Sequence, residues 1–256
     1  MKSRKMKIAC IIQARTGSTR LPKKILKKIL GKEILIHVIE RVLNSKKIDE
    51  IIVATTNNIQ DIQIEKLIER YNNPRVKIFR GSEEDVLDRY YQAAKKEGTN
   101  VIVRITSDCP LIDWEIIDKI IQEFLKGDYD YVSNVLDKRT FPRGLDVEVF
   151  SFDVLKRMWK EFHEKKGREH VTAHIRENKN KFRTKNVENK INLSNLRWTL
   201  DEIDDLRFIK RVYEELYIKN KKFKTNDVLD LLNKKPELIK INEHVEQKEN
   251  IKNETN

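Results

Sequence analysis

The chain has few of the residues that mark the best-known ligand sites. Its 256 residues include seven glycines, five prolines and two cysteines, and aromatic residues make up 7%. The glycines never fall into G-x-G-x-x-G or G-x-x-x-x-G-K-[ST], so the dinucleotide and P-loop fingerprints are excluded. Cys10, in an apolar run, and Cys109, beside Pro110, make no disulfide framework and read as small buried hydrophobes. No apolar run approaches the roughly twenty residues that span a bilayer. The basic start, MKSRKMK, is followed by only about six apolar residues, too few for a signal peptide. These absences give a cytoplasmic expectation and no membrane partner.

Charge is plentiful: 37% of residues are charged and the formal net charge is +12. Nucleic acid is the first partner such a number suggests. The lysines, however, run along the whole chain, without the clustered cations and interleaved aromatics that a nucleic-acid surface needs. The excess reads as a solvated surface, with phosphate affinity at a few positions and no nucleic-acid partner.

Strand and helix signals alternate. Strands are expected at residues 7–13, 50–55, 76–79, 101–105 and 129–133. Helices are expected at 33–43, 59–71, 86–96 and 113–125, the last with Asp113 as N-cap. That order implies an α/β fold, a mainly parallel sheet with helices on both faces, whose ligands sit beyond the carboxyl ends of the strands. After Asn134 the pattern loosens. Strands are expected at 146–150, 181–187 and 196–199, and helices at 151–162, 169–177, 204–217 and 226–232. No Gly- or Pro-rich linker divides the chain, so residues 1–240 read as one domain with an insertion or dimerisation element near 140–190. Residues 241–256 read as a polar, disordered tail.

The most informative stretch is KIACIIQARTGSTRLPKKIL, residues 7–26. A buried strand feeds a small loop carrying Arg15, Gly17, Ser18, Arg20 and, one turn on, Lys24. Cations at a strand end present donors to a phosphate chain: Arg as a planar fork, Lys as a point charge. A second site is RITSDCPLI, 104–112, where Asp108 falls just past a strand. A lone carboxylate there suits Mg²⁺, which takes one or two carboxylates plus substrate phosphates; a turn or capping aspartate is the alternative. The third is RWTLDEIDDL, 197–206, in which Asp201 either caps a helix or reaches the same metal. His170 and His174 are four apart, but with no third ligand a zinc site is not expected. Trp114, Trp159 and Trp198 read as core or interface anchors.

These motifs together, R-T-G-S-T-R-L-P-K-K, D-C-P-L-I and D-E-I-D-D-L, resemble the cytidylyltransferases that include CMP-Kdo synthetase and CMP-acylneuraminate synthetase. The nearest branch is the spore-coat polysaccharide biosynthesis protein F family. RGSEEDVLDRY (80–90), FPRGLDVEVFS (141–151) and REHVTAHIR (168–176) fit it in order. The resemblance implies a Rossmann-like three-layer nucleotide-diphospho-sugar transferase fold, a homodimer, and Mg²⁺-dependent transfer of CMP from CTP to a sugar acid or related small acceptor, for cell-surface polysaccharide or glycoconjugate synthesis. It implies nucleotide contacts from Gln13, Ala14, Arg15, Gly17, Ser18, Arg20, Lys24, Thr55, Arg80 and Arg104, with Arg15, Arg20, Lys24 and Asp108 carrying catalysis and Asp108 and Asp201 holding the metal. Arg104 replaces a common Gln, and Lys23 a common Gly between Pro22 and Lys24.

Acceptor contacts are expected in the less regular half, from Asn134, Arg143, Asp146, Glu148, Arg168, Glu169 and His170. An acidic sugar would explain Arg143 and Arg168. Two other readings stand beside this one. A sugar transferase using a nucleotide-sugar donor would draw on Asp128 and Asp130, although that pair precedes a strand instead of following one. A non-catalytic nucleic-acid-binding protein would draw on the net charge.

Overall fold

The computed structural model describes residues 6–246. The apolar run after Lys7 is strand β1 (Ile8–Gln13). Its cationic loop runs through a 3-10 turn at Lys24–Leu26 into a small hairpin, β2 (Lys28–Ile29) and β3 (Lys32–Glu33), and then helix α1 (Ile34–Leu43). The chain continues with β4 (Glu50–Thr56), α2 (Ile62–Tyr71), β5 (Val76–Gly81), α3 (Val86–Glu97), β6 (Val101–Thr106) and α4 (Trp114–Lys126). Then follow β7 (Tyr131–Ser133), β8 (Glu148–Ser151), α5 (Phe152–Glu161), the short helices α6 (Lys165–Arg168) and α7 (Ala173–Glu177), and β9 (Thr184–Asn186). The last helices are α8 (Ile203–Leu216) and α9 (Thr225–Lys234).

Seven strands form one sheet in the order β5-β4-β1-β6-β8-β7-β9. β1 pairs in parallel with β4 and β6, while β8 runs against both its neighbours, β6 and β7. β8 is therefore the single reversed strand, because β5 and β9 also pair in parallel. Alternation along β1 explains the two cores. Ile8, Cys10 and Ile12 face the layer holding α1, α2, α4, α8 and α9; Ala9 and Ile11 face α3 and α5. Strands covered on both faces are apolar throughout, which is why β4 is buried at every position.

From β1 the chain moves to β4 on one side, and β6 lies on the other. The loops after β1 and β6 therefore splay apart at their carboxyl ends, where open α/β sheets bind ligands.

Three expected elements differ. The helix over 169–177 is broken at Val171, whose φ of 51° is left-handed, leaving α7 alone. The strand over 196–199 reduces to one bridge, Arg197 with Arg143, because Leu200 turns to bond Asp108 O. The expected tail starts too early. Ile241 ends a 3-10 helix, and Asn242 is buried, its amide donating to Arg197 O and Asp205 Oδ1. Residues 247–256 of that tail lie outside the described residues.

Candidate active site

The loop after β1 is tied down by a carboxylate. Asp61 Oδ1 accepts from both the amide and the hydroxyl of Thr16, at 2.8 and 2.6 Å, and its other oxygen accepts from Thr56. Ser18 Oγ accepts from Leu21 N, closing the next turn. Lys23 takes a left-handed φ of 53° and starts the 3-10 turn that points Lys24 back across the sheet edge. Gly17 has room for a Cβ, so its small size matters less than its place in the turn.

Lys24 Nζ donates to Asp108 Oδ2 at 2.6 Å and to Asp201 Oδ1 at 2.9 Å. Asp108 follows β6, and β6 lies next to β1, so topology brings together residues 84 apart in sequence. Asp201 is positioned by the start of α8. Glu202 is the N-cap, in a capping box with Asp205. Asp205 Oδ2 also accepts from the Asp201 amide at 2.9 Å. Asp205 is fully buried and paired with Arg197 Nε at 2.8 Å. Arg197 Nη2 reaches Asp201 Oδ2 at 3.0 Å, while Arg20 stands 3.2 Å from Asp201 Oδ1. Asp201 is thus freed from capping and held by three cations.

Burial alone would raise the Asp108 carboxyl; the Lys24 ammonium outweighs it and brings the group below the usual carboxylate range. Burial likewise works against the Lys24 ammonium, but Asp108 and Asp201 raise its pKa above the ordinary value.

Two cavities meet here. One, about 380 Å³, is lined by Gln13, Ala14, Arg15, Val86, Arg89, Glu169 and His170. The other, about 320 Å³, is lined by Thr106, Cys109, Arg139, Arg143, Gly144, Asp146 and Thr199. Arg20, Asp108 and Asp201 line both, forming a charged wall between two lobes. Arg15 hangs over the first lobe, 3.7 Å from Glu83 and 3.6 Å from Glu169. In the second, Arg139 grips Asp146 with both terminal nitrogens, at 2.5 and 2.8 Å.

Other expected residues are used elsewhere. Arg80 donates to the Thr56 and Asn58 carbonyls and to Glu65, clamping the end of β5 instead of opening on a lobe. Thr55 is fully buried in β4. Asn134 is also buried, its amide bridging Leu145 O and Val147 N across the rim. Glu148 lies under the floor, paired with Arg104 and accepting from Tyr131 and Thr172. Arg104, expected among the nucleotide contacts, is turned to Glu148 and Gln13 and stands behind the lobe. Arg168 bonds Asp85 and the Trp159 and Phe162 carbonyls, away from both lobes.

His174 packs between Phe162 and Phe182, and no group of three His, Cys, Asp or Glu side chains among the described residues could hold a metal ion. Asp128 and Asp130 precede β7, at the opposite sheet edge, where Arg183 takes both. The placement expected of a sugar transferase's metal pair is therefore missing from these two residues. Sequence reasoning misses Asp61, Arg89 and Arg139. Only Arg89 lies in a quoted motif, the 80–90 segment.

The chain belongs to the cytidylyltransferase family, whose model matches residues 9–249. It is 32% identical over 239 residues to the spore coat polysaccharide biosynthesis protein SpsF of Bacillus subtilis, covering 90% of this chain and 95% of that one. It is 35% identical over 116 residues to the 3-deoxy-manno-octulosonate cytidylyltransferase of Geobacter metallireducens, 45% of this chain and 44% of that one. Among solved structures it resembles a cytidylyltransferase from Leptospira borgpetersenii, with a TM-score of 0.86 and 33% identity over 97% of this chain and all of the other.

Proposed function

We propose that this member of the cytidylyltransferase family moves CMP from CTP to a sugar acid or a related small acceptor in cell-surface polysaccharide synthesis, with Mg²⁺ at Asp108 and Asp201. The observation that carries this reading is the wall of Arg20, Asp108 and Asp201 shared by two lobes. An in-line displacement needs the reacting phosphorus between two ligands, one on each side of a charged centre. The first lobe suits the nucleotide and the second the acceptor, because Arg139, Arg143 and the hydroxyls of Thr106 and Thr199 match a polyhydroxylated acid.

The acceptor hydroxyl oxygen forms its bond to the α-phosphorus and gives up its proton to solvent as the bond from that phosphorus to the oxygen bridging to the β-phosphate breaks and pyrophosphate leaves. Arg15 and Arg20 lie on the first lobe and neutralise the charge that builds on the departing group. Lys24 supports them once released from the carboxylates. The gap between Asp108 and Asp201 accepts a cation, since it holds the Lys24 ammonium, and two carboxylates plus phosphate oxygens are what Mg²⁺ takes. Held by Asp108 and Asp201, Mg²⁺ would supply neutralisation of phosphate charge and would make a neighbouring hydroxyl more acidic. The proposal includes a homodimer in the cytoplasm. No helix among the described residues is long and apolar enough to cross a membrane.

A panel of nucleoside triphosphates with candidate sugar acids, scored by pyrophosphate release with and without Mg²⁺, tests this. Turnover with CTP and a sugar acid is expected. Release of a nucleoside diphosphate from a nucleotide-sugar instead of pyrophosphate overturns it.

A further inference from the structure

We propose that Gln13 selects the base: its side-chain amino group, turned outward by Arg104, is the hydrogen-bond donor that favours cytosine over uracil. This rests on the nucleotide occupying the first lobe, as argued above.

Gln13 ends β1, and its side chain lies on the α3 side of the sheet, as alternation after Ala9 and Ile11 requires. Its Oε1 accepts from Arg104 Nη2 at 3.1 Å and faces the Tyr90 hydroxyl at 3.3 Å. A guanidinium has donors and no acceptor, so only the oxygen of the amide can face Arg104. Arg104 is itself fixed by Glu148, buried beneath the lobe, which Tyr131 and Thr172 hold in turn. The amide therefore cannot flip without setting its NH₂ against a buried cation. Its Nε2 has no hydrogen-bond partner among the described residues, and Gln13 lines the first lobe.

That lobe also offers the apolar faces of Ala14 and Val86, the kind of surface a flat base rests on. The second lobe, with its Arg139–Asp146 pair, offers no comparable face. Along the edge a pyrimidine presents, cytosine has two acceptors, O2 and N3, whereas uracil has O2 and an N3–H donor. Uracil also carries an O4 acceptor where cytosine has its amino group, so the choice is made at N3: an NH₂ held opposite N3 pairs with cytosine and opposes the N3–H of uracil. Sites that leave a polar group mismatched reject the wrong ligand far more strongly than sites that only lose apolar contact. Arg104 is a positioning residue in this account.

The test is equilibrium binding of CTP and of UTP to the full chain with Mg²⁺, by calorimetry, for wild type, Gln13→Leu and Gln13→Glu. Wild type should prefer CTP. Gln13→Leu, which has no donor, should lower the ratio of affinities at least tenfold. Gln13→Glu keeps an acceptor for Arg104 but offers an oxygen to the base, so its ratio should shift furthest towards UTP. It also decides the matter if Gln13→Leu fails to fold. A wild-type preference for CTP that survives unchanged in folded Gln13→Glu overturns the role of Gln13 alone. Equal wild-type affinity for CTP and UTP overturns base selection by Gln13, and failure of the wild type to bind either nucleotide overturns the nucleotide assignment of the lobe on which the proposal rests.

Discussion

The ammonium of Lys24 stands 2.6 Å from the carboxylate of Asp108, joining the first loop of the sheet to the loop of its neighbouring strand. Neither partner is chosen by sequence distance. The pairing exists because β1 and β6 lie side by side.

Removing Asp108 should therefore separate function from folding. Asp108→Ala leaves Lys24 with Asp201 as its remaining partner and deletes one of the two carboxylates on the shared wall. Pyrophosphate release should fall by at least about a hundredfold, with circular dichroism unchanged. Near-normal turnover in the folded variant would show that Asp108 has no part in the reaction.

Arg139 should act on one substrate only. Its bidentate pair with Asp146 lines the second lobe and not the first. Arg139→Ala should raise the KM for the acceptor by roughly ten- to a hundredfold, the scale of a lost charge-assisted contact, and leave the KM for CTP in place. Steady-state kinetics with each substrate varied in turn checks this. A rise in the CTP term instead would exchange the lobes.

Asp205 should govern acid stability. It is fully buried, and although burial acts to raise its carboxyl, Arg197 and Asn242 bring it below the ordinary range. A depressed folded value means that its contribution is in place above the unfolded carboxylate value of about 3.9 and drains away as pH falls through the folded one. Removing one partner of a buried pair costs about 3–5 kcal/mol. Asp205→Ala should lose stability near that amount at neutral pH, and its deficit relative to wild type should shrink in acid. Thermal melts from pH 7 down to pH 3 read both effects.

Gly144 is the position where backbone shape excludes a side chain. Its φ is +102°, and a Cβ would lie 2.7 Å from Trp198 C and O and Thr199 N, all backbone atoms. Gly144→Ala should cost about 1–3 kcal/mol through strain and crowding, read as a lower Tm, and should disturb the second lobe, which Gly144 and Thr199 line.

Much of the architecture was legible because strands buried on both faces are apolar without interruption. Ile8–Ile12 and Glu50–Thr55 stand out in any reading. The cationic loop was legible for the same reason: its charges follow a buried strand at once. Whether Asp201 caps a helix was not legible, since Asp201, Glu202 and Asp205 are all acceptable near a helix start. The capping box decides it. Arg80, Asn134, Glu148 and Arg168 were expected at ligands because charged and amide side chains look alike until their partners are known. Each turns out to satisfy other groups of the chain itself, mostly backbone carbonyls or buried carboxylates. Arg139 escaped notice because a loop arginine between unremarkable neighbours carries no spacing signal.

The reversed course of β8 has one more effect. β7 ends at Ser133 and β8 begins at Glu148, paired with it on the same rim. The fourteen residues between them make an excursion that starts and finishes above the second lobe, with no helix to carry back across the sheet. Under the proposed assignment of the second lobe to the acceptor, that excursion supplies Arg139, Arg143 and Asp146, so changes in its length or composition fall on the acceptor side. Exchanging it between relatives is the natural way to retarget such an enzyme to a different acceptor.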